Sequence, residues 1–230
     1  MNIFAVNLNP KTAANNLCDK HVPKMIVETA QMLSTAHRLL DGVEYQGSSA
    51  TGRAVKRWRL DYQKDSLVYH AGYVNHPCTV WCRSTLGNYQ WLAMHGHQLC
   101  KEFKYRYMKP HKTEPLMDFL LNNPPVKITQ DIAVENFALA MPDNYKCSFG
   151  VNGEPLPEVE KYRNFYVYEK SRFAYWKDPN NVPLWYIARC VSLGIRFKND
   201  CQNLKQFLLS SPERIHLLNV HGLGNWANSP

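Results

Sequence analysis

No stretch of this 230-residue chain approaches the roughly 20 consecutive apolar residues that a bilayer-spanning helix needs, which argues against a helical membrane protein. The opening Met1 to Asn7 lacks a basic segment followed by a long apolar one, so no secretory signal is expected and an intracellular, cytoplasmic location follows. Glycine is sparse at 11 residues and forms neither a phosphate-binding loop nor a dinucleotide fingerprint, which leaves nucleotide-driven chemistry without support. Metal signatures are missing too. Cys78 and Cys82 stand one helical turn apart with His70, His76, His95 and His97 nearby in sequence, yet there is no paired Cys-x-x-Cys, no His-Glu-x-x-His helix and no zinc-deaminase pattern. The expectation is no metal and no cofactor. Acidic residues are in deficit, 19 Asp and Glu against 27 Lys and Arg, and the net charge of +8 favours an anionic partner, nucleic acid first. The 7 cysteines are odd in number and scattered, in a chain long enough to fold on one core, so reduced thiols are expected.

What is present is mostly helical periodicity. Asn2 to Asn7 reads as a short buried strand or an extended arm, and Asn9-Pro10 as a turn into a short helix. Val22, Met25, Ile26, Thr29, Met32, Leu33, Ala36, Leu39 and Leu40 then recur at helical spacing until Asp41-Gly42. Pro23 fits the first turn of that helix, which puts His21 at or just before its start. Residues Gly42 to Arg53 are polar and rich in Gly and Ser and read as a mobile loop; the basic stretch Arg53 to Arg59 follows. Pro77 opens a further helical segment, and Ser84 is a candidate cap for a helix carrying Leu86, Tyr89, Trp91, Leu92, Met94, Leu99 and Phe103. A short helix is expected from Thr113 to the Asn122-Asn-Pro-Pro125 stop, mostly loop over 122 to 156, and a helix from about Pro157 to Trp176. Helical spacing resumes at Trp185, and Ser211-Pro-Glu marks a last short helix.

On a continuous helix His21 and Glu28, seven positions apart, project within about 20° of each other and are separated by roughly 10 Å. Lys24 and Gln31 lie within one turn of Glu28, so a pocket bordered by this face holds a carboxylate, a cation and an amide. Such a carboxylate suits general acid or base work if partly buried; the competing reading is an exposed Lys24–Glu28 pair of no catalytic consequence. Tyr162-Arg-Asn-Phe-Tyr-Val-Tyr-Glu-Lys-Ser-Arg172 combines aromatic planes with Arg163, Lys170 and Arg172, which fits either an extruded base flanked by phosphates or a core helix with a solvated basic face. Trp185 and Tyr186 allow the same two readings.

Leu17-Cys-Asp-Lys-His21 followed by Glu28 resembles the leucine, aspartate, histidine and glutamate arrangement of phage endonuclease V, the pyrimidine-dimer DNA glycosylase family. His76 with the helix through Trp81, Arg83, Leu86, Trp91 and Lys101 resembles that family's middle histidine and long helix, and Pro183-Leu-Trp-Tyr186 its aromatic carboxy-terminal segment. Asn75-His-Pro-Cys-x-x-Trp-x-Arg and Tyr162-Arg-Asn-x-Tyr-x-x-Glu-Lys are also features of a group of phage and bacterial proteins of this superfamily. The resemblance covers most of residues 1 to 190, with a large insertion around 110 to 180.

What it implies is a mainly α, single compact helical domain over 1–190 with large loop insertions, a helical carboxy-terminal extension over 191–230, and excision of a flipped, damaged or modified pyrimidine in the cytoplasm of a bacterium or phage-infected cell. The partner is DNA, as a duplex with a flipped base or a single strand, with no membrane. Glu28 would be the central acid, with His21 and Asn2 as catalytic companions and Lys20, Lys24, Gln31, Asn75, His76, Arg83, Arg163, Lys170, Arg172, Trp185 and Tyr186 as DNA ligands. The family's nucleophile is the free amine of a second-position threonine; here that position is Asn2, and Val27 and Gln31 replace the arginines flanking the family's glutamate. Hydrolysis is therefore expected ahead of amine-dependent lyase chemistry. The alternatives are a base-modifying enzyme that excises nothing and a noncatalytic DNA-binding protein on the same fold.

Overall fold

In a computed structural model, which describes residues 1–150 and 152–229, the chain begins as an extended arm rather than a strand. Ile3, Phe4, Ala5 and Val6 are all buried. The arm is shaped locally by its own side chain: Asn2 Oδ1 accepts from the N–H groups of Ile3 and Phe4 at 2.8 and 2.9 Å. Asn9 then caps α1 (Pro10–Asn15) by accepting from Lys11 and Thr12, and Pro10 occupies the first turn, where its missing N–H costs nothing.

Helix α2 (His21–Asp41) runs as its periodicity requires, with Pro23 in the first turn and Gly42 ending it. Its apolar face carries Val22, Met25, Ile26, Met32, Leu33 and Ala36, all fully buried. The principal partner is α5 (Leu86–Tyr107). The two approach closely at Gly96, where a Cβ would stand 2.6 Å from Thr29 Cγ2 and 2.4 Å from Met117 Cε. Around this pair pack α1, α4 (Pro77–Cys82) and α6 (Glu114–Asn122).

The second half adds the one-turn α7 (Asp143–Lys146), α8 (Glu158–Lys170), a 3₁₀ turn at Pro179–Asn181 and α9 (Leu184–Ser192). Helix α8 closes over the N-terminal arm: the Phe4 ring stacks on His21 at 4.7 Å between centroids and on Phe165 at 6.1 Å, and meets Tyr166 edge-on at 5.4 Å. The terminal helices α10 (Cys201–Leu209), α11 (Pro212–Val220) and α12 (Gly224–Ala227) join the same core through Asn199, which exchanges hydrogen bonds with the Trp176 backbone, and through Phe197 against Tyr186 and Trp226. The result is a mainly α chain with one continuous core and a single two-stranded sheet among the described residues. No helix there is long and apolar enough to cross a membrane.

Four local expectations are corrected. The segment read as a mobile loop is a strand, β1 (Val43–Ser48), paired antiparallel with β2 (Ala54–Arg59), which is the basic stretch. Both strands are largely exposed, so no hydrophobic alternation announces them. Helix α5 is capped by Thr85, whose hydroxyl accepts from Asn88 N–H, because the Ser84 hydroxyl donates elsewhere, to Trp81 O and Glu135. Helix α8 stops at Lys170, short of Trp176: Asp19 draws the chain away by donating its N–H to Tyr175 O and accepting from Lys177 N–H. Finally, α11 is followed by the single turn α12.

Candidate active site around Glu28

Glu28 lies one turn beyond Lys24 on the edge of α2, its side chain 17% exposed and Lys24 Nζ 3.3 Å away. The sequence allows this i,i+4 pair to be an isolated surface contact. The second oxygen makes it more than that: Glu28 Oε2 accepts from the backbone N–H of Asn2 at 2.9 Å. Asn2 is itself 8% exposed, and its side-chain amide donates to Ala140 O at 2.7 Å. One asparagine thus turns the arm, docks it on the loop before α7 and leaves its main-chain nitrogen on the carboxylate. A residue 26 positions away completes the site, and no local spacing could have indicated it.

His76 faces the same region. It is the cap of α4, its Nδ1 accepting from Cys78 N–H at 3.2 Å, so the ring of the neutral histidine carries its proton on Nε2. Burial holds its pKa below the usual histidine value, the positive N-terminus of the chain reinforces this, and Glu28 opposes it. The ring is neutral at pH 7 and offers an N–H donor. Cys78 feels the N-terminus and Glu28 as well, but burial pushes its thiol up to about 12, so it is no nucleophile at neutral pH.

His21 is placed differently. It is 3% exposed, stacked on Phe4, edge-on to Phe173, with Nδ1 2.9 Å from the Tyr166 hydroxyl. That hydroxyl also accepts from Cys18 N–H. Burial, with Lys24, Lys170 and Lys20 adding to it, lowers the His21 pKa to about 3. It stands as a neutral strut between α2, α8 and the arm.

The basic residues divide into two groups. Lys24, Lys170 and Lys20 are close enough to act on His21, and Lys24 also lowers the Lys170 pKa behind burial and Arg172. Lys20 and Lys170 lie over the Phe173 and Phe165 rings at 5.0 and 4.4 Å, and Arg172 lies 5.6 Å from Phe173. Lys20, Lys24 and Lys170 are thus gathered about His21 at the start of α2, and of the three Lys24 also pairs with Glu28. Arg163 is elsewhere: it donates to Val6 O, pairs with Glu160 and covers the Trp185 ring at 5.2 Å. Trp185 is 9% exposed and Tyr186 fully buried, so neither presents a face for a base; both are core residues. Tyr162 and Tyr166 are likewise buried, which makes the aromatic face of α8 a packing face.

Gln31 and Arg83 serve the loop between α3 (Tyr62–Leu67) and α4. Gln31 donates to His70 O at 3.0 Å, Arg83 to Val74 O at 2.8 Å, and the Thr35 hydroxyl bonds both N–H and C=O of Gly72. Asn75 is exposed on this loop. So is Tyr73, 71% exposed with φ 51, a left-handed conformation rare for an aromatic residue. All seven cysteines are unpaired. A cavity of about 340 Å³ lined by Asp19, Tyr105, Arg106, Met108, Lys177, Asp178 and Asn181 shares no residue with the Glu28 cluster. Among the described residues no three His, Cys, Asp or Glu side chains converge to hold a metal ion.

The helical scaffold thus gathers a half-buried carboxylate, a main-chain nitrogen and a lysine on one side of α2. The chain belongs to the pyrimidine dimer DNA glycosylase family, whose model matches residues 1–115. That span contains Asn2, Lys20, His21, Lys24, Glu28, Gln31, Asn75, His76 and Arg83, and ends before Arg163, Lys170, Arg172, Trp185 and Tyr186. Enzymatic action on DNA of the glycosylase type is thereby shown at the level of the family. No curated protein and no solved structure matches the chain.

Proposed function

We propose that this protein hydrolyses the N-glycosidic bond of a damaged or modified pyrimidine in DNA, with Glu28 as the essential group. The observation that carries the reading is the 2.9 Å hydrogen bond from Asn2 N to Glu28 Oε2, which joins the two residues the family resemblance singles out. As the C1′–N bond breaks, its electron pair leaves with the base and positive charge develops on the sugar. An anionic Glu28 stabilises that charge and accepts the proton of the water that adds to C1′. His76 Nε2–H is a donor suited to a carbonyl oxygen of the departing base or to a phosphate. Lys24, Lys20 and Lys170 supply positive charge for the flanking backbone of a flipped nucleotide. His21 acts through the arm it holds.

If Met1 is excised, the resulting Asn2 amine is the atom already hydrogen-bonded to Glu28; its attack on C1′ would displace the base with the electron pair of the C1′–N bond, and loss of its protons with opening of the C1′–O4′ bond, O4′ taking a proton, would leave an imine trappable by borohydride. The amide nitrogen of an unprocessed chain cannot attack, so trapping together with the mass of the N-terminal peptide separates the two routes. Glu28→Gln keeps the shape of the site and removes the charge. Base release from ultraviolet-treated or modified DNA, followed by mass analysis, is expected to fall by at least about a hundredfold, as loss of an electrostatic stabiliser does, while DNA affinity holds. Turnover retained by Glu28→Gln overturns the assignment.

A further inference from the structure

The β1–β2 hairpin takes no part in the Glu28 cluster. Its register pairs Val43 with Arg59 and Tyr45 with Arg57, so side-chain alternation places Tyr45, Gly47, Arg57 and Arg59 on one face. At Gly47 a Cβ would stand 2.7 Å from Arg57 Cγ and 3.3 Å from Tyr45 Cε2; the glycine makes room for these side chains to converge. Arg59 Cζ lies 4.8 Å from the Tyr45 ring centroid. The Arg59 guanidinium thus lies on the Tyr45 ring, Arg57 stands opposite Tyr45 on the same face, and neither arginine forms a salt bridge among the described residues. The hairpin's one carboxylate, Glu44, is spent on Lys56 at 2.9 Å on the opposite face. Asp41 and Asp61 border the same cavity as Arg59 but form no salt bridge with it, so positive charge is left exposed on this face. An external polyanion complements it.

The hairpin is also held in place. Arg38 of α2, 1% exposed, donates to Trp58 O at 2.9 Å, to Tyr69 O, Asp65 O and Val68 O, and pairs with the Asp65 carboxylate. Arg38 follows Glu28 by ten residues on one helix, a rise of about 15 Å. Arg57 is near enough to His70 to lower its pKa, and His70 O is bonded by Gln31, the residue one turn beyond Glu28. The arginine face therefore adjoins the Glu28 side of α2.

We propose that the hairpin is a DNA-backbone clamp, its Tyr45, Arg57 and Arg59 face gripping duplex phosphates on one side of the nucleotide held at Glu28, about four base pairs away at roughly 3.4 Å per step. This rests on the DNA-acting reading above, but its test does not depend on base release. The full chain and an Arg57→Gln/Arg59→Gln variant are titrated with an undamaged labelled duplex across a salt series, with thermal melting confirming that both are folded. A third protein, Lys109→Gln/Lys112→Gln, loses the same charge from an exposed loop after α5. Loss of two phosphate contacts makes the slope of log K against log salt shallower by about 1.8, so the affinity lost between about 50 and 200 mM salt is about tenfold smaller in the hairpin variant. The loop variant keeps the original slope. An unchanged slope in the hairpin variant, or an equal change in the loop variant, overturns the clamp, as does a chain that binds no duplex. A shallower slope in the hairpin variant of a chain that releases no base keeps the clamp and removes the glycosylase reading instead.

Discussion

Asn2 shows how much a single residue near a terminus can organise. Its carbonyl oxygen accepts two backbone N–H groups, its amide nitrogen reaches Ala140 O, and its own N–H reaches Glu28. Threonine, the residue of the resembled family, has a single hydroxyl oxygen where Asn2 has a separate amide oxygen, turned to the two arm N–H groups, and amide nitrogen, turned to Ala140. The substitution that looked in the sequence like a departure from the family is matched here to a loop it can bind. Asn2→Ala strands two buried N–H groups and a carbonyl, and is expected to destabilise the fold by about 1–3 kcal/mol. Chemical denaturation measures this directly. Base release is expected to fall further than the loss of folded protein explains, since the nitrogen facing Glu28 loses its anchor.

At the scale of elements, the long amphipathic helices were legible and the exposed or tertiary-pinned pieces were not. Helix α2 was readable to its ends because Pro23, nine apolar positions and Gly42 agree with one another. The hairpin was not, because exposed polar strands carry no buried face to set a period; the buried Arg38 that secures it comes from another element. The N-terminus of α5 is a second tertiary feature. Leu86 N and Gly87 N donate to Thr129 O and Asp131 O, and Glu135 N donates to Asn88 Oδ1, so the long 122–142 loop is laid across this helix start. At Gly87 a Cβ would stand 2.3 Å from Ala133 O and 2.4 Å from Ile132 O, both main-chain atoms that cannot simply rotate away. Gly87→Ala is expected to cost about 1–3 kcal/mol and to expose this loop, seen as a lower melting temperature with faster amide exchange over residues 129–135.

For the whole molecule, three buried histidines couple folding to pH. Burial lowers the pKa of His21 and His95 to about 3 and of His37 to about 4. In the unfolded chain each titrates near 6.5, so between those values the unfolded state binds more protons. Stability from this source is complete above about pH 7 and is lost as pH falls from 6.5 through the folded values, at up to about 4 kcal/mol per pH unit if all three act together. Against a domain stability of about 5–10 kcal/mol, the acid unfolding midpoint is expected between about pH 4 and 5.5. Circular dichroism against pH reads it. His95, stacked on Trp91 with both ring nitrogens unbonded, is the cleanest probe: His95→Phe should flatten the stability slope by about a third and shift the midpoint to lower pH.

The sequence by itself determined the helical class, the position of the long helices and the positive charge, because periodicity, capping and charge are local or additive; Glu28 stood out only through the family resemblance, since its spacing alone allows an exposed pair with Lys24. Its three aromatic and basic stretches carried no comparable information about role. Only the tertiary structure decided that Trp185, Tyr186 and, on α8, Tyr162 and Tyr166 are core, that His21 is a buried strut, and that a polar loop is an arginine-bearing hairpin. It also decided the point on which the site turns, the meeting of Asn2 with Glu28. Burial and long-range hydrogen bonding depend on which surfaces other elements cover, and no spacing along one chain segment encodes that.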